Sequence, residues 1–375
     1  FIKDDAVKPG DGGGKSGTVT AWGGTIVLAG RMHYYNILFE GRLQVLPTGG
    51  TVTADKGTLR VENADSAVIL FALGTNYRLG PHVFLEADPK KRLSPDDPGP
   101  RVAETLALAA AKGYDFLRER HLADYRALFG RVELGLAGSR PDAPTDELLT
   151  RYGAGESIPY LEQLYFQYGR YLLISSSRPG CLPANLQGVW NCHDQSPWGS
   201  GYWHNINVQM NYWPAFVTNL AETFTAYADF YEAFRPQAEG LATDYIREHN
   251  PENLDERPGA CGWTIGTASY AYEITGPGGH SGPGTGGLTS KLFWDWYDFT
   301  RDTEILRRVT YPALLSMARF LTRTVRDYDG RFLASFSASP EQMINGPWTP
   351  KGKYYQTVGC AFDQQMIREN GRDLL

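Results

Sequence analysis

The chain has 375 residues, 36 Lys and Arg against 42 Asp and Glu, and a formal net charge of −6; at ~100–200 residues per domain, two domains are expected. The acidic balance speaks against nucleic-acid or membrane-surface binding, which needs a basic patch, and 21% charged against 42% apolar residues excludes a disordered chain. Aromatic residues reach 13%, with 9 Trp and 22 Tyr, an excess that serves either large cores or stacking on neutral rings such as sugars.

In chain order, residues 1–101 read as β structure. Runs at 18–22, 43–46, 51–53 and 67–71 are β-branched or aliphatic, and turns such as Pro47-Thr48-Gly49-Gly50 separate them. The pattern predicts an antiparallel region, a portion of a β-sandwich. Residues 81–100 are expected to be a loop whose charges, Lys90-Lys91-Arg92 and Asp96-Asp97, are solvated. Residues 102–144 read as a helical linker. Val102, Leu106, Phe116, Leu117 and Leu128 recur near helical spacing, and Arg131 to Leu136 reads as a short strand. From residue 145, helices are predicted over 160–176, 220–233, 288–300 and 311–328, with Pro236 stopping the second. Helices with no strands between them predict a helical array, so the whole is an α+β multidomain chain.

Residues 183–214 are the densest in chemistry. They hold Trp190, Trp198, Trp203 and Trp213, together with five asparagines. Carboxamides offer donors and acceptors without charge, and beside indoles they match a sugar's hydroxyls and apolar face. The same composition also makes a turn-rich loop whose Asn side chains bond their own backbone. In Asn205-Ile206-Asn207 the i, i+2 spacing turns both carboxamides to one side if the stretch is extended, where they could hold one water; in a helix they diverge. Glu341, in Ser339-Pro340-Glu341, is either a general acid projecting into a cleft or a first-turn residue favoured by a helix dipole. The glycine-rich stretch 276–287 lacks the Lys-Ser/Thr ending of a phosphate loop. It reads as an ordered cleft-lining loop, with His280 either a substrate contact or a satisfied structural residue. Cys181, Cys192, Cys261 and Cys360 are widely spaced without metal-ligand spacing, and no metal or cofactor is expected. No apolar run reaches the ~18–20 residues that span a bilayer.

The chain resembles glycoside hydrolase family 95, the inverting 1,2-α-L-fucosidases and relatives acting on α-L-galactosides, from roughly residue 33 onward. The resemblance is carried by the stretch from Arg120-His121-Leu122 to Ala127-Leu128-Phe129, by Leu164-Tyr165-Phe166-Gln167-Tyr168-Gly169-Arg170-Tyr171, by the Asn-rich segment and by Ser339-Pro340-Glu341. It implies an N-terminal β-sandwich over 1–101, a helical linker over 102–144 and an (α/α)6 barrel from 145 to 375, the first and last incomplete. It implies inverting cleavage of terminal α-L-fucosyl or α-L-galactosyl-like residues from a glycan, without a cofactor. Glu341 would be the general acid, Asn205 and Asn207 would hold the water, and an Asp further along would activate it. The candidate substrate contacts are Trp190, Trp198, Trp203, His204 and His280, with Trp203 expected to line an open cleft beside Asn205.

Three departures from the family pattern stand out. The activating Asp belongs to a C-terminal segment, and the chain stops at Leu375 before one appears. The chain is therefore expected to be a fragment, nearly inactive alone, with Asp363 only a weak in-chain substitute. The pattern has a His two residues before the first Asn; Trp203 holds that place and His204 follows. Leu288 stands where relatives usually carry Trp. Two alternatives remain: a helical-barrel hydrolase or phosphorylase for another sugar, told apart by phosphate dependence, and a sugar-binding protein without catalysis. An extracellular or periplasmic setting is favoured, and with Phe1 in place of Met the missing leader does not argue for the cytoplasm.

Overall fold

The computed structural model describes residues 14–193, 196–278, 280–342 and 357–375. The chain forms two compact units, one up to Arg126 and one from Ala127 onward.

The first unit is built on strands β1 (Lys15–Trp22), β2 (Thr25–Met32), β3 (Ile37–Thr48), β4 (Thr51–Asp55), β5 (Thr58–Glu62) and β6 (Ser66–Thr75). Four of them form an antiparallel sheet in the order β1-β2-β3-β6, and β4 and β5 pair as a separate hairpin. Leu43 fixes the register at the centre, opposite Ile26 on one side and Phe71 on the other. The predicted runs lie within β1, β3, β4 and β6, whereas β2 goes beyond them. Its signal was Gly23-Gly24, whose φ angles of 51° and 82° make the two-residue turn that a tight hairpin requires. Within the segment expected to be a loop, Pro81 opens a short helix, α1 (Pro81–Leu85), because proline is preorganised for a first helical turn. Helix α2 (Gly99–Lys112) buries Val102 and Leu106. It approaches β6 where Gly74 stands, since a Cβ there would lie 2.9 Å from Val102 Cγ2. Helix α3 (Tyr114–Phe129) follows.

The second unit is mainly helical: α4 (Thr145–Gly153), α5 (Pro159–Ser176), β7 (Tyr202–Trp203), α6 (Asn207–Val217), α7 (Thr225–His249), β8 (Ala268–Tyr270), β9 (Glu273–Ile274), α8 (Gly284–Thr300), α9 (Thr303–Ile305), α10 (Tyr311–Arg323), β10 (Val325–Tyr328), β11 (Arg331–Ala334) and α11 (Ala361–Leu374). Its core is aromatic. Phe224, Tyr227, Phe230, Tyr231, Phe234, Trp263 and Phe293 are all fully buried and meet ring to ring. Aromatic pairs at such distances add ~0.5–1.5 kcal/mol each beyond the area they bury.

Four expectations are corrected here. Helix α7 runs through Pro236 rather than stopping at it. An interior proline costs ~3 kcal/mol, but Ala238, Ala242, Tyr245 and Ile246 beyond it are buried and hold the helix together. Residues 131–136 are not a strand: the carbonyls of Val132 and Leu136 accept from the side chains of Gln167, Arg170 and Gln163 instead of a neighbouring strand. The helix expected over 311–328 ends at Arg323, and Val325 onward pairs with β11 around Asp329-Gly330, both at positive φ. Short sheets, β7-β8-β9 and β10-β11, therefore do interrupt the helices.

Candidate active site

Glu341 does not sit in a helix. It occupies a turn at φ 58°, a left-handed conformation uncommon outside glycine, and its side chain is half exposed. Its backbone N–H donates to the His280 carbonyl at 3.0 Å. Its carboxylate accepts from Asn205 Nδ2 at 3.1 Å, and His280 Nε2 stands 3.7 Å from the same Oε1. The three residues are separated by up to 136 positions in sequence. The other end of the His280 ring, Nδ1, lies 3.2 Å from Thr267 Oγ1.

Asn205 is buried, and with its Nδ2 committed to Glu341 its Oδ1 lies buried without a hydrogen-bond partner among the described residues. A buried carboxamide oxygen left unpaired costs ~1–3 kcal/mol and marks a place where a donor is needed. The resemblance has Asn205 and Asn207 hold the water, apart from the acid Glu341. Asn205 instead touches Glu341, because a carboxylate is acceptor-only and the amide N–H is a matched donor. The i, i+2 argument also fails on geometry. Asn205 lies in a turn, Ile206 has ψ −36°, and Asn207 is the first residue of α6, half-buried.

A cavity of about 390 Å³ adjoins this group, lined by Trp203, Thr267, Ala268, Gly276, His280 and Ser281 among others. Trp203 meets the Tyr270 ring edge-on at 5.8 Å. Its own ring folds back over Gly201, where a Cβ would sit 2.0 Å from the indole, so only glycine fits there. Of the other indoles, Trp190 and Trp198 are strongly exposed and Trp213 partly so. Trp198 projects from three successive left-handed residues, Trp198, Gly199 and Ser200. Such a turn is strained and is held only by its surroundings. A larger groove of about 730 Å³ between α4 and α5 is nearly all apolar, and among the described residues the only carboxylate on its lining is Glu162. It lacks the paired polar groups of the Glu341 cavity.

His204 is not at the cavity wall. It is fully buried against Tyr227 and Phe234, with Nδ1 3.2 Å from Ser269 Oγ and its backbone N–H donating to the Thr267 carbonyl. Burial pushes its imidazole down to about 3, so it stays neutral. No face of it is open to a sugar. Asp363 is likewise unsuited to polarise water: it is fully buried, and its oxygens accept from Ser337 Oγ, Gly284 N and Ala338 N. Sequence reasoning missed Thr267, Ser269 and Ser337, whose signal is faint because small hydroxyl residues are common everywhere. The four cysteines are free thiols. Among the described residues, no cluster of His, Cys, Asp and Glu is placed to hold a metal, and no helix is long and apolar enough to cross a membrane.

A helical unit with a carboxylate, a carboxamide and a histidine beside an indole-lined cavity is the kind of site found in carbohydrate-active proteins. The glycosyl hydrolase family 95 catalytic domain matches residues 113–375, and the chain belongs to that family. It is 32% identical over 376 residues to "Probable alpha-fucosidase A" of Aspergillus niger, covering 94% of this chain and 44% of that protein. It is 34% identical over 322 residues to "Alpha-L-fucosidase 2" of Arabidopsis thaliana, covering 82% and 36%. The chain thus spans less than half the length of these curated relatives. Among solved structures, "Putative kojibiose phosphorylase from human microbiome" aligns with a TM-score of 0.57 at 10% identity, over 96% of this chain and 42% of that one. That likeness concerns the fold alone.

Proposed function

We propose that this chain carries the acid side of the active site of an inverting α-L-fucosidase-type glycoside hydrolase acting on terminal residues of a glycan. On this reading the antiparallel unit is part of a β-sandwich and the helical unit part of an (α/α)6 barrel. The observation that carries it is the convergence of Glu341, Asn205 and His280 beside the Trp203 cavity. Glu341 protonates the departing glycosidic oxygen. Asn205 orients the attacking water through its Oδ1, and Asn207, at the start of α6, has no place at that oxygen; a carboxamide is too weak a base to activate the water, and a carboxylate other than Asp363 has that task. The sugar enters between Asn205 and Glu341, exchanging their mutual hydrogen bond for contacts of each to the substrate. Acid and water-activating groups then stand roughly 6.5–9.5 Å apart, as inversion requires. Trp203 and His280 line the pocket, and Trp190 and Trp198 are exposed indoles on which a sugar could stack.

The test is Glu341→Gln in the complete gene product. With 2′-fucosyllactose, kcat is expected to fall ~10²–10⁴-fold, the contribution of a positioned acid. With an aryl α-L-fucoside whose leaving group needs no proton, the loss is expected to be much smaller. Equal losses on the two substrates would overturn the assignment, and turnover that requires phosphate would make the protein a phosphorylase.

A further inference from the structure

Two loops meet at the candidate acid, and one buried carboxylate joins them. Asp363, in the first turn of α11, accepts from Gly284 N at 2.7 Å through Oδ1, and from Ser337 Oγ at 2.6 Å and Ala338 N at 3.1 Å through Oδ2. Gly284 is the first residue of α8, so Asp363 satisfies one of that helix's orphan N–H groups from another helix. Ser337 and Ala338 lead directly into Glu341. The loops also bond each other: Gly282 N donates to Ala338 O, and Glu341 N donates to His280 O, both at 3.0 Å. Ser337 is further held by Cys360 N, which donates to its Oγ at 2.9 Å.

The glycines of the loop fit this arrangement. A Cβ at Gly282 would lie 2.2 Å from Asp363 Oδ2, and one at Gly284 2.7 Å from Oδ1. Neither has a positive φ, so close approach to the carboxylate, not backbone conformation, requires glycine at both. Burial raises the Asp363 carboxyl, and its donors Ser337 Oγ, Gly284 N, Ala338 N and Cys360 Sγ oppose that rise.

We propose that Asp363 is a positioning residue that ties the Glu341 segment to the glycine-rich loop, and so holds Glu341 and His280 as a pair beside the cavity. The catalytic part of this rests on Glu341 being the acid; the tie between the loops does not.

Asp363→Asn tests it in the complete gene product. The variant turns an amide NH2 against at least one N–H or O–H donor, breaking the clamp with little change in volume. Displacing an acid by ~1 Å can cost ~10²-fold. The expected result is a fall in kcat of ~10–100-fold on 2′-fucosyllactose, with a loss under ~3-fold on the activated aryl fucoside and little change in KM. Amide exchange at Gly282, Gly284 and Ala338 should quicken while α10 stays protected. Ser337→Ala removes one bond and should act in the same direction, more weakly; it carries the test if Asp363→Asn does not fold. Equal losses on both substrates with unaltered loop exchange would overturn the proposal. Glu341→Gln, run in parallel, separates the two readings. If it shows no leaving-group dependence, the acid assignment fails, and the exchange data alone decide whether Asp363 clamps the loops.

Discussion

The sheet of the first unit and the core of the second use apolar residues differently. On β6, Val68, Leu70 and Ala72 are half-buried, while Ile69, Phe71 and Leu73 on the other face are more than half exposed. In the helical unit, Phe224 is fully buried and packs against the rings of Tyr212, Phe216, Tyr227, Phe293 and Trp296. An apolar side chain contributes in proportion to the area it takes out of water, at ~25 cal/mol per Å². The same residue types therefore stabilise strongly in one unit and weakly on the open sheet face of the other. The candidate site belongs to the unit with the dense core, where a rigid scaffold can hold polar groups to tolerances that catalysis needs.

This contrast can be tested by substitution. Phe224→Ala should destabilise the helical unit by ~3–5 kcal/mol, the cost of deleting a buried aromatic ring, measured by urea unfolding followed through tryptophan fluorescence. A loss below ~1 kcal/mol would mean that the core is loosely packed. Arg170→Met should cost about 3 kcal/mol. Arg170 is fully buried and donates to the carbonyls of Leu128, Phe129 and Val132, which would lose a donor worth ~1–3 kcal/mol where no water replaces it.

His204 gives a pH-dependent effect with a definite sign. Its pKa is about 3 in the fold against ~6.5 in the unfolded chain. Above about pH 6.5 neither state carries the proton. As pH falls from there toward about 3, the unfolded chain binds a proton that the folded chain refuses, so stability declines by at most about 1.4 kcal/mol per pH unit. His204→Gln should flatten that acid limb of the unfolding free energy against pH; an unchanged slope would show that His204 is not the titrating group. Ile69→Thr, on the open face of β6, should change stability by less than ~0.5 kcal/mol. A loss above ~2 kcal/mol would show that something covers that face.

Local patterns made much of this architecture legible. Strand runs, the helix at 159–176 and the family motifs all rest on interactions within a few residues, which a sequence displays directly. The misreadings came where distant residues outweighed local preference. Pro236 signals a stop, yet the buried residues on both sides of it keep α7 continuous. Arg131 to Leu136 has strand propensity, yet side chains of α5 take its carbonyls. Asp329-Gly330, a strong hairpin signal, stands directly after the stretch read as helical, and the residues before it pair across that turn instead.

For the site, the residue types Glu341, Asn205 and His280 could be picked out from sequence, because each stands in a segment of unusual composition. Their meeting could not, since contacts between positions 136 apart depend on how α6, α8 and the intervening loops pack. Sequence also could not separate His204 from His280, and it offered Asp363 only as a weak substitute for the activating Asp. A histidine or aspartate has the same chemistry wherever it stands in the chain. Burial made His204 a neutral core residue and Asp363 a tie between loops, and exposure left His280 facing the Glu341 carboxylate.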